Sequence, residues 1–253
     1  MPEFVKFLAF DTSTDRMSVA LTNGVRVWRH DGPGGAQAST ALIPAILALL
    51  AKSGLGLGEL DAIAFGRGPG SFTGLRTACA VAQGLAFGAN HGAGIAVLPV
   101  DTLMAVAEEA RYQRALAATD AAPFVVTALL DARMDEIYVQ NYEFGSGSCA
   151  AFGRCSLFRP ENLAPERSAV LVAGNVFGVY AGRLPAALAA LPCVEAFPTA
   201  SALLRLAPML AAAGRCVDAA LALPLYVRDK VAFTTDERAL AKAGAPQPQA
   251  QRR

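Results

Sequence analysis

Apolar residues fill the first stretch of the chain, Phe4-Val5-Lys6-Phe7-Leu8-Ala9-Phe10, which stops at Asp11-Thr12-Ser13-Thr14. A short apolar run closed by turn-forming residues predicts a buried strand. Beyond it Met17, Val19 and Leu21 alternate with Ser18 and Ala20, the period of two of a half-buried strand. Asn23-Gly24 supplies the positive φ values that a tight hairpin needs, and Val25 to Arg29 runs back. Three antiparallel strands therefore open the chain.

The period changes at Ser39. From there to Lys52, Leu42, Ile46 and Leu49 form one helical stripe with Ile43, Leu47 and Leu50 beside it, and Ser53-Gly54 ends the element. Apolarity over so wide an arc predicts burial on more than one side. Ala62 to Phe65 reads as a short buried strand running straight into Gly66-Arg67-Gly68-Pro69-Gly70-Ser71-Phe72-Thr73-Gly74. A second helix follows from Thr73 to about Ala89, with Leu75, Ala78, Cys79, Ala82 and Leu85 at helical spacing. Gly94 to Leu98 is a further strand, and Asp101-Thr102 is expected to cap a third helix reaching about Tyr112.

From Pro123 the pattern restarts. Phe124 to Leu130 is an apolar strand ending at Asp131, Ile137-Tyr138-Val139 begins the next, and Val170 to Ala173 is a later one. Helices are expected over Val179–Leu191 and Ala200–Gly214. The segments opening at Leu8 and at Ala128 match: each strand ends at Asp, a second Asp lies four positions on, and a Val lies eight on. Two halves that each open with strand–Asp–turn–strand predict an α/β, actin-like duplicated fold of two lobes, the ASKHA or ribonuclease H-like plan. The first lobe is expected over 1–105, completed by part of 215–235, and the smaller second lobe over 106–214. The Pro- and Gln-spaced tail 243–253 is expected to be disordered.

Composition narrows the function. The 253 residues are 54% hydrophobic and 17% charged with a net charge of +1. No basic stripe marks a protein that grips nucleic acid by itself, because such affinity rests on neutralised phosphates. Cys79, Cys149, Cys155, Cys193 and Cys216 are scattered and odd in number, so neither a zinc site nor a disulfide framework is expected. Met1 to Lys6 lacks a signal-peptide pattern, and the apolar run Ala41–Ala51 is short of a membrane span. A cytoplasmic protein without a membrane role is expected.

Two candidate chemistries remain. Asp11 and Asp131, at equivalent strand ends, could hold a hydrated metal and nucleotide phosphates across a cleft, or could cap their own turns. The Gly-rich block is neither a P-loop, having no Lys, nor a G-x-G-x-x-G fingerprint. It could cradle an anion at a helix N-terminus, with Arg67 and Arg76 at the rim, or serve as a tight turn forced by close packing. His30 and His91 form no H-x-x-x-H pair, and no G-x-S-x-G elbow exists.

Four blocks carry a closer likeness. Asp11-Thr12-Ser13, the stretch Gly66 to Arg76, Asp131-Ala132-Arg133-Met134-Asp135-Glu136-Ile137-Tyr138, and Pro224-Leu225-Tyr226-Val227-Arg228 resemble the TsaB (YeaZ) family from about Phe4 to Ala232. The resemblance implies an actin-like relative of the transferase TsaD that lacks its metal-binding histidines, has no catalytic residue, metal or cofactor, and serves bacterial threonylcarbamoyladenosine synthesis on tRNA. It implies pairing with TsaD, with TsaE joining, tRNA met through the complex, and a homodimer when alone. On this reading Asp11, Thr12, Ser13, Asp131 and Arg133 are vestigial phosphate loops. The two first helices would dock the partner, with Leu42, Ile46, Leu49, Ala78, Ala82 and Leu85 as contact residues and Gly84 and Gly88 allowing close approach. Where the family often has His-Ser before the first helix, this chain has Ala38-Ser39. The competing reading is an ATP-binding actin-like phosphotransferase or hydrolase; a peptidase is weaker, for want of metal ligands.

Overall fold

The computed structural model describes residues 5–116 and 122–228. The first sheet contains β1 (Lys6–Asp11), β2 (Arg16–Asn23), β3 (Val27–Pro33), β4 (Ala62–Gly68) and β5 (Ala96–Asp101). Its spatial order is β3-β2-β1-β4-β5, antiparallel through the first three strands and parallel from β1 to β5. The second sheet contains β6 (Phe124–Arg133), β7 (Glu136–Gly145), β8 (Ser148–Phe158), β9 (Ala169–Gly174) and β10 (Cys193–Glu195). Read from β8 as β8-β7-β6-β9-β10, it repeats the first sheet strand for strand and sense for sense. The duplicated α/β, actin-like plan is therefore present.

Among the described residues five α-helices cover the sheets: α1 (Ala38–Ser53), α2 (Phe72–Gly88), α3 (Thr102–Gln113), the single turn α4 (Ala186–Ala189) and α5 (Ala200–Ala212). Helices α1 and α2 close the outer face of the first sheet, burying Leu8, Phe10, Val19, Ile63 and Phe65 against Leu42, Ile46, Leu49, Ala78 and Ala82. Helices α3 and α5 lie between the sheets in one continuous core that joins Phe7 and Ala9 to Ala128, Leu130 and Tyr142. The outer face of the second sheet is covered by Leu163, Val176, Tyr180 and Leu188. The two inner helices are exchanged. Helix α3 leaves the first sheet and packs on β6, whereas α5, which follows the second sheet and was expected in the second lobe, packs on β1 and β2.

Several local expectations change. The Asn23 side chain accepts from Val25 and Arg26 amides, so the turn takes up both residues and β3 starts at Val27. Asp101 makes no cap; its carboxylate pairs with Arg67 at 2.6 Å, and the Thr102 hydroxyl accepts from the Gly68 amide at 3.1 Å. The helix expected over Val179–Leu191 shrinks to α4, because Gly182 at φ 80° and Pro185 interrupt it. Strands β8 and β10 carry no alternation that the sequence could show: one is an edge strand with small residues and Gly153 at φ 77°, the other is three residues long. The apolar helical stretch runs Gly35–Ser53, 19 residues, so length and composition alone would allow a span. Leu42, Ile46 and Leu49 of this stretch are buried on the first sheet, as in a core helix. The tail 243–253, and the part of 215–235 beyond residue 228, lie outside the described residues.

Candidate functional site

The first hairpin loop is held against the Gly-rich turn. The Ser71 amide donates to the Ser13 carbonyl at 2.7 Å, and the Thr12 hydroxyl donates to the Gly74 carbonyl at 2.7 Å. A Cβ at Gly70 would come within 2.7 Å of the Ser13 carbonyl, and one at Gly66 or Gly74 would overlap the Asp11 carboxylate or the Thr12 carbonyl. Gly68, at φ 124°, lies under Leu225, and its bond to Pro69 is cis. The glycines are therefore demanded by close packing, and the amides of Gly68, Ser71 and Gly74 already donate within the protein. This is the close packing that a tight turn requires. Arg67 is paired with Asp101, and Arg76 stacks on the Phe72 ring at 3.7 Å and donates to the Tyr226 hydroxyl at 3.3 Å.

The two aspartates do not occupy equivalent places. Phe10 pairs with Val19, whereas Leu129 pairs with Val139, so the matched valines set Asp131 one position further along its strand than Asp11. Asp11 is 1% exposed and turned into the protein. One oxygen accepts from the Ser13 amide and hydroxyl at 2.8 and 2.7 Å, and the other has no partner. Burial outweighs those bonds and pushes its pKa up to about 6. Asp131 faces the cleft but accepts from the Arg133 amide at 2.9 Å and the Tyr180 hydroxyl at 2.8 Å. Burial, then that bond, raises the Tyr180 hydroxyl well beyond its ordinary range. Each carboxylate uses one oxygen to cap its own turn.

Arg133, Met134 and Asp135 then take consecutive left-handed conformations at φ 62°, 56° and 58°. Arg228 spans this loop from outside, donating to the Ala132 and Arg133 carbonyls at 3.2 and 3.3 Å and pairing with Glu136. Between the loops lies a cleft of about 320 Å³ lined by Ser13, Ser71, Asp131, Asn175, Tyr226 and Arg228, among others. Of these, Asn175 and the neighbouring Tyr180 had no signal in the sequence, and Tyr226 and Arg228 stood out through one block. Among the described residues no three His, Cys, Asp or Glu side chains gather as metal ligands would. Burial raises every cysteine thiol, Cys155 to about 12, which keeps them protonated.

The expected partner contacts need correction. Leu42, Ile46, Leu49, Ala78 and Ala82 are at most 2% exposed, and Leu85 is half-buried, because the large aliphatic stripe of each helix faces its own sheet. What α1 and α2 turn outward is Ile43, Leu47 and Phe87, exposed by 44, 54 and 74%. On either side of Phe87 in α2, Gly84 and Gly88 are open: a Cβ at either would meet nothing within 4 Å. Ala38 is fully buried at the start of α1.

Comparison with known proteins adds the following. A family model for TsaD, tRNA N6-adenosine threonylcarbamoyltransferase, matches residues 35–164. The tRNA threonylcarbamoyladenosine biosynthesis protein TsaB of Haemophilus influenzae is 43% identical over 131 residues, 52% of this chain and 51% of its own length. The Escherichia coli protein of the same name is 39% identical over 139 residues, 55% of each chain. The chain thus spans about half the length of these curated relatives. The solved structure of YeaZ from Pseudomonas aeruginosa matches further, at 37% identity and a TM-score of 0.75 over 88% of this chain and 99% of that one.

Proposed function

The chain belongs to the TsaB (YeaZ) family, and from that premise we propose that it is a non-catalytic subunit in tRNA threonylcarbamoyladenosine synthesis. Its role is to support a TsaD-type transferase, with a TsaE-type ATPase joining the pair and tRNA met through the assembly. It works in the cytoplasm and pairs with a second copy of itself when the transferase is missing. The observation that carries this reading is the cleft: each strand-end aspartate accepts from the amide two residues on, and the amides of Gly68, Ser71 and Gly74 donate within the protein. Such a cleft has little left with which to hold a metal-bound phosphate.

The outer face of α1 and α2 supports the second half of the proposal. Glycine inside a helix costs about 1 kcal/mol relative to Ala. Gly84 and Gly88 meet no packing demand in their own chain, Phe87 between them on α2 is exposed, and α1 exposes Ile43 and Leu47. Small residues flanked by large apolar ones let a second helix approach closely.

Modification of tRNA by purified TsaC, TsaD and TsaE with this chain tests the role directly. Phe87→Asp and Leu47→Asp should abolish co-elution with TsaD and stop modification while leaving the fold intact. Unchanged association in both variants would place the interface elsewhere. Calorimetry with Mg-ATP on the isolated chain should show no specific binding. Saturable micromolar binding lost in Asp131→Ala would favour the nucleotide-using enzyme instead.

A further inference from the structure

Residues 217–228 return from the second lobe over the first. Val217 bridges to Val97, and the Ala222 carbonyl accepts from the Gln83 amide at 2.9 Å. The Leu225 amide then donates to the Arg67 carbonyl at 2.7 Å, and the Tyr226 ring lies 5.3 Å from that of Phe72 with its hydroxyl on Arg76. Two residues on, the Arg228 side chain has crossed to the other lobe. There it meets the Ala132 and Arg133 carbonyls, Glu136, and the Met134 sulfur at 3.1 Å.

The loop it meets is under strain. Left-handed backbone is disfavoured for residues bearing a Cβ: Met134 and Asp135 adopt it as the two central residues of the hairpin, and Arg133 adopts it at the bulge beside them. The other restraints come from the second lobe itself: Arg183 pairs with Asp135 at 2.7 Å, Tyr180 bonds to Asp131, and Asn175 accepts from the Asp131 amide at 2.9 Å. Arg228 is the restraint that reaches the left-handed carbonyls from a segment anchored on the opposite lobe.

The geometry points to Pro224–Arg228 as a strap that couples the two hairpin loops across the cleft. It holds the second loop in its left-handed conformation while its middle stays seated on Arg67, Phe72 and Arg76. Whatever shifts Tyr226 on the first lobe then loosens residues 132–136 on the second.

Hydrogen exchange by mass spectrometry on the full chain tests this. Arg228→Ala should raise exchange of the 132–136 amides about tenfold and leave the β6 core, Val125 to Leu130, at the native rate. Glu136→Gln should give a smaller rise, and it serves as the readout if Arg228→Ala fails to fold. Tyr226→Ala is the decisive variant, because its side chain belongs to the first lobe: it should also raise exchange in 132–136. Native exchange of the loop in folded Tyr226→Ala would overturn the coupling. A rise spread evenly over the second lobe in any variant would likewise overturn it, marking Arg228 as a contributor to overall stability alone.

Discussion

Replacing Asp11 by Asn removes one ionisation and little else. The carboxylate is 1% exposed, one oxygen carries both bonds to Ser13, and the other faces Gly66 without a partner. Its pKa rises from 3.8 to about 6 in the folded chain, chiefly through burial. A carboxyl that holds its proton more tightly when folded stabilises the fold most below the unfolded pKa, and that contribution is lost as pH climbs through the folded value. A rise of about 2 units corresponds to about 3 kcal/mol, lost between about pH 4 and pH 7. The amide side chain of the Asp11→Asn variant would keep the acceptor for Ser13 and carry no titrating proton in this range. Any cost of that amide is a constant offset, and every other titrating group is shared. Urea denaturation of both proteins at several pH values across that window therefore isolates the residue. The difference in unfolding free energy, variant minus native, should grow by about 3 kcal/mol from the acid to the neutral end. Parallel profiles would refute the reasoning and mean that water or a cation reaches the buried oxygen.

Four further outcomes are expected. Gly74→Ala, whose Cβ would overlap the Thr12 carbonyl, should destabilise the chain by about 3 kcal/mol in thermal melts, whereas Gly84→Ala, in open space, should stabilise the isolated chain by about 1 kcal/mol and weaken its association with TsaD. Arg111→Ala takes two of three donors from the buried Glu108, which bonds Arg111 and Arg205, and should cost about 3 kcal/mol by denaturant unfolding. Mass-mapped alkylation of the native chain at mild alkaline pH should label the exposed Cys193 first and the buried Cys79 and Cys149 last.

The duplication was legible because a strand closed by Asp and a turn leaves a local signature, and that signature occurs twice. What the signature hides is register. The bulge between Asp131 and Arg133 shifts the second hairpin against the first, so two aspartates that align in sequence differ in burial and in what they bond. The docking face failed for a related reason. The most regular aliphatic stripe on α1, Leu42-Ile46-Leu49, is the one its own sheet selects, and the arc left exposed is Ile43 and Leu47. Spacing alone cannot tell the buried arc from the exposed one, because both are apolar. Strand β8 escaped notice since an exposed edge strand is under no pressure to alternate. Arg228 stood in a quoted block, yet its partners lie more than ninety residues away and could only be found in three dimensions.

The exchange of α3 and α5 between the sheets bears on how the chain is made. A ribosome releases the first sheet long before it releases Ala200–Ala212, the helix that seals that sheet's inner face. Helix α3 emerges early, but its own seat on β6 has not yet been translated. The nascent first half therefore waits with oily surface uncovered, a natural client for a chaperone. Severing the chain between the sheets would leave two fragments that each lack their lining, and only co-expression should return a soluble product.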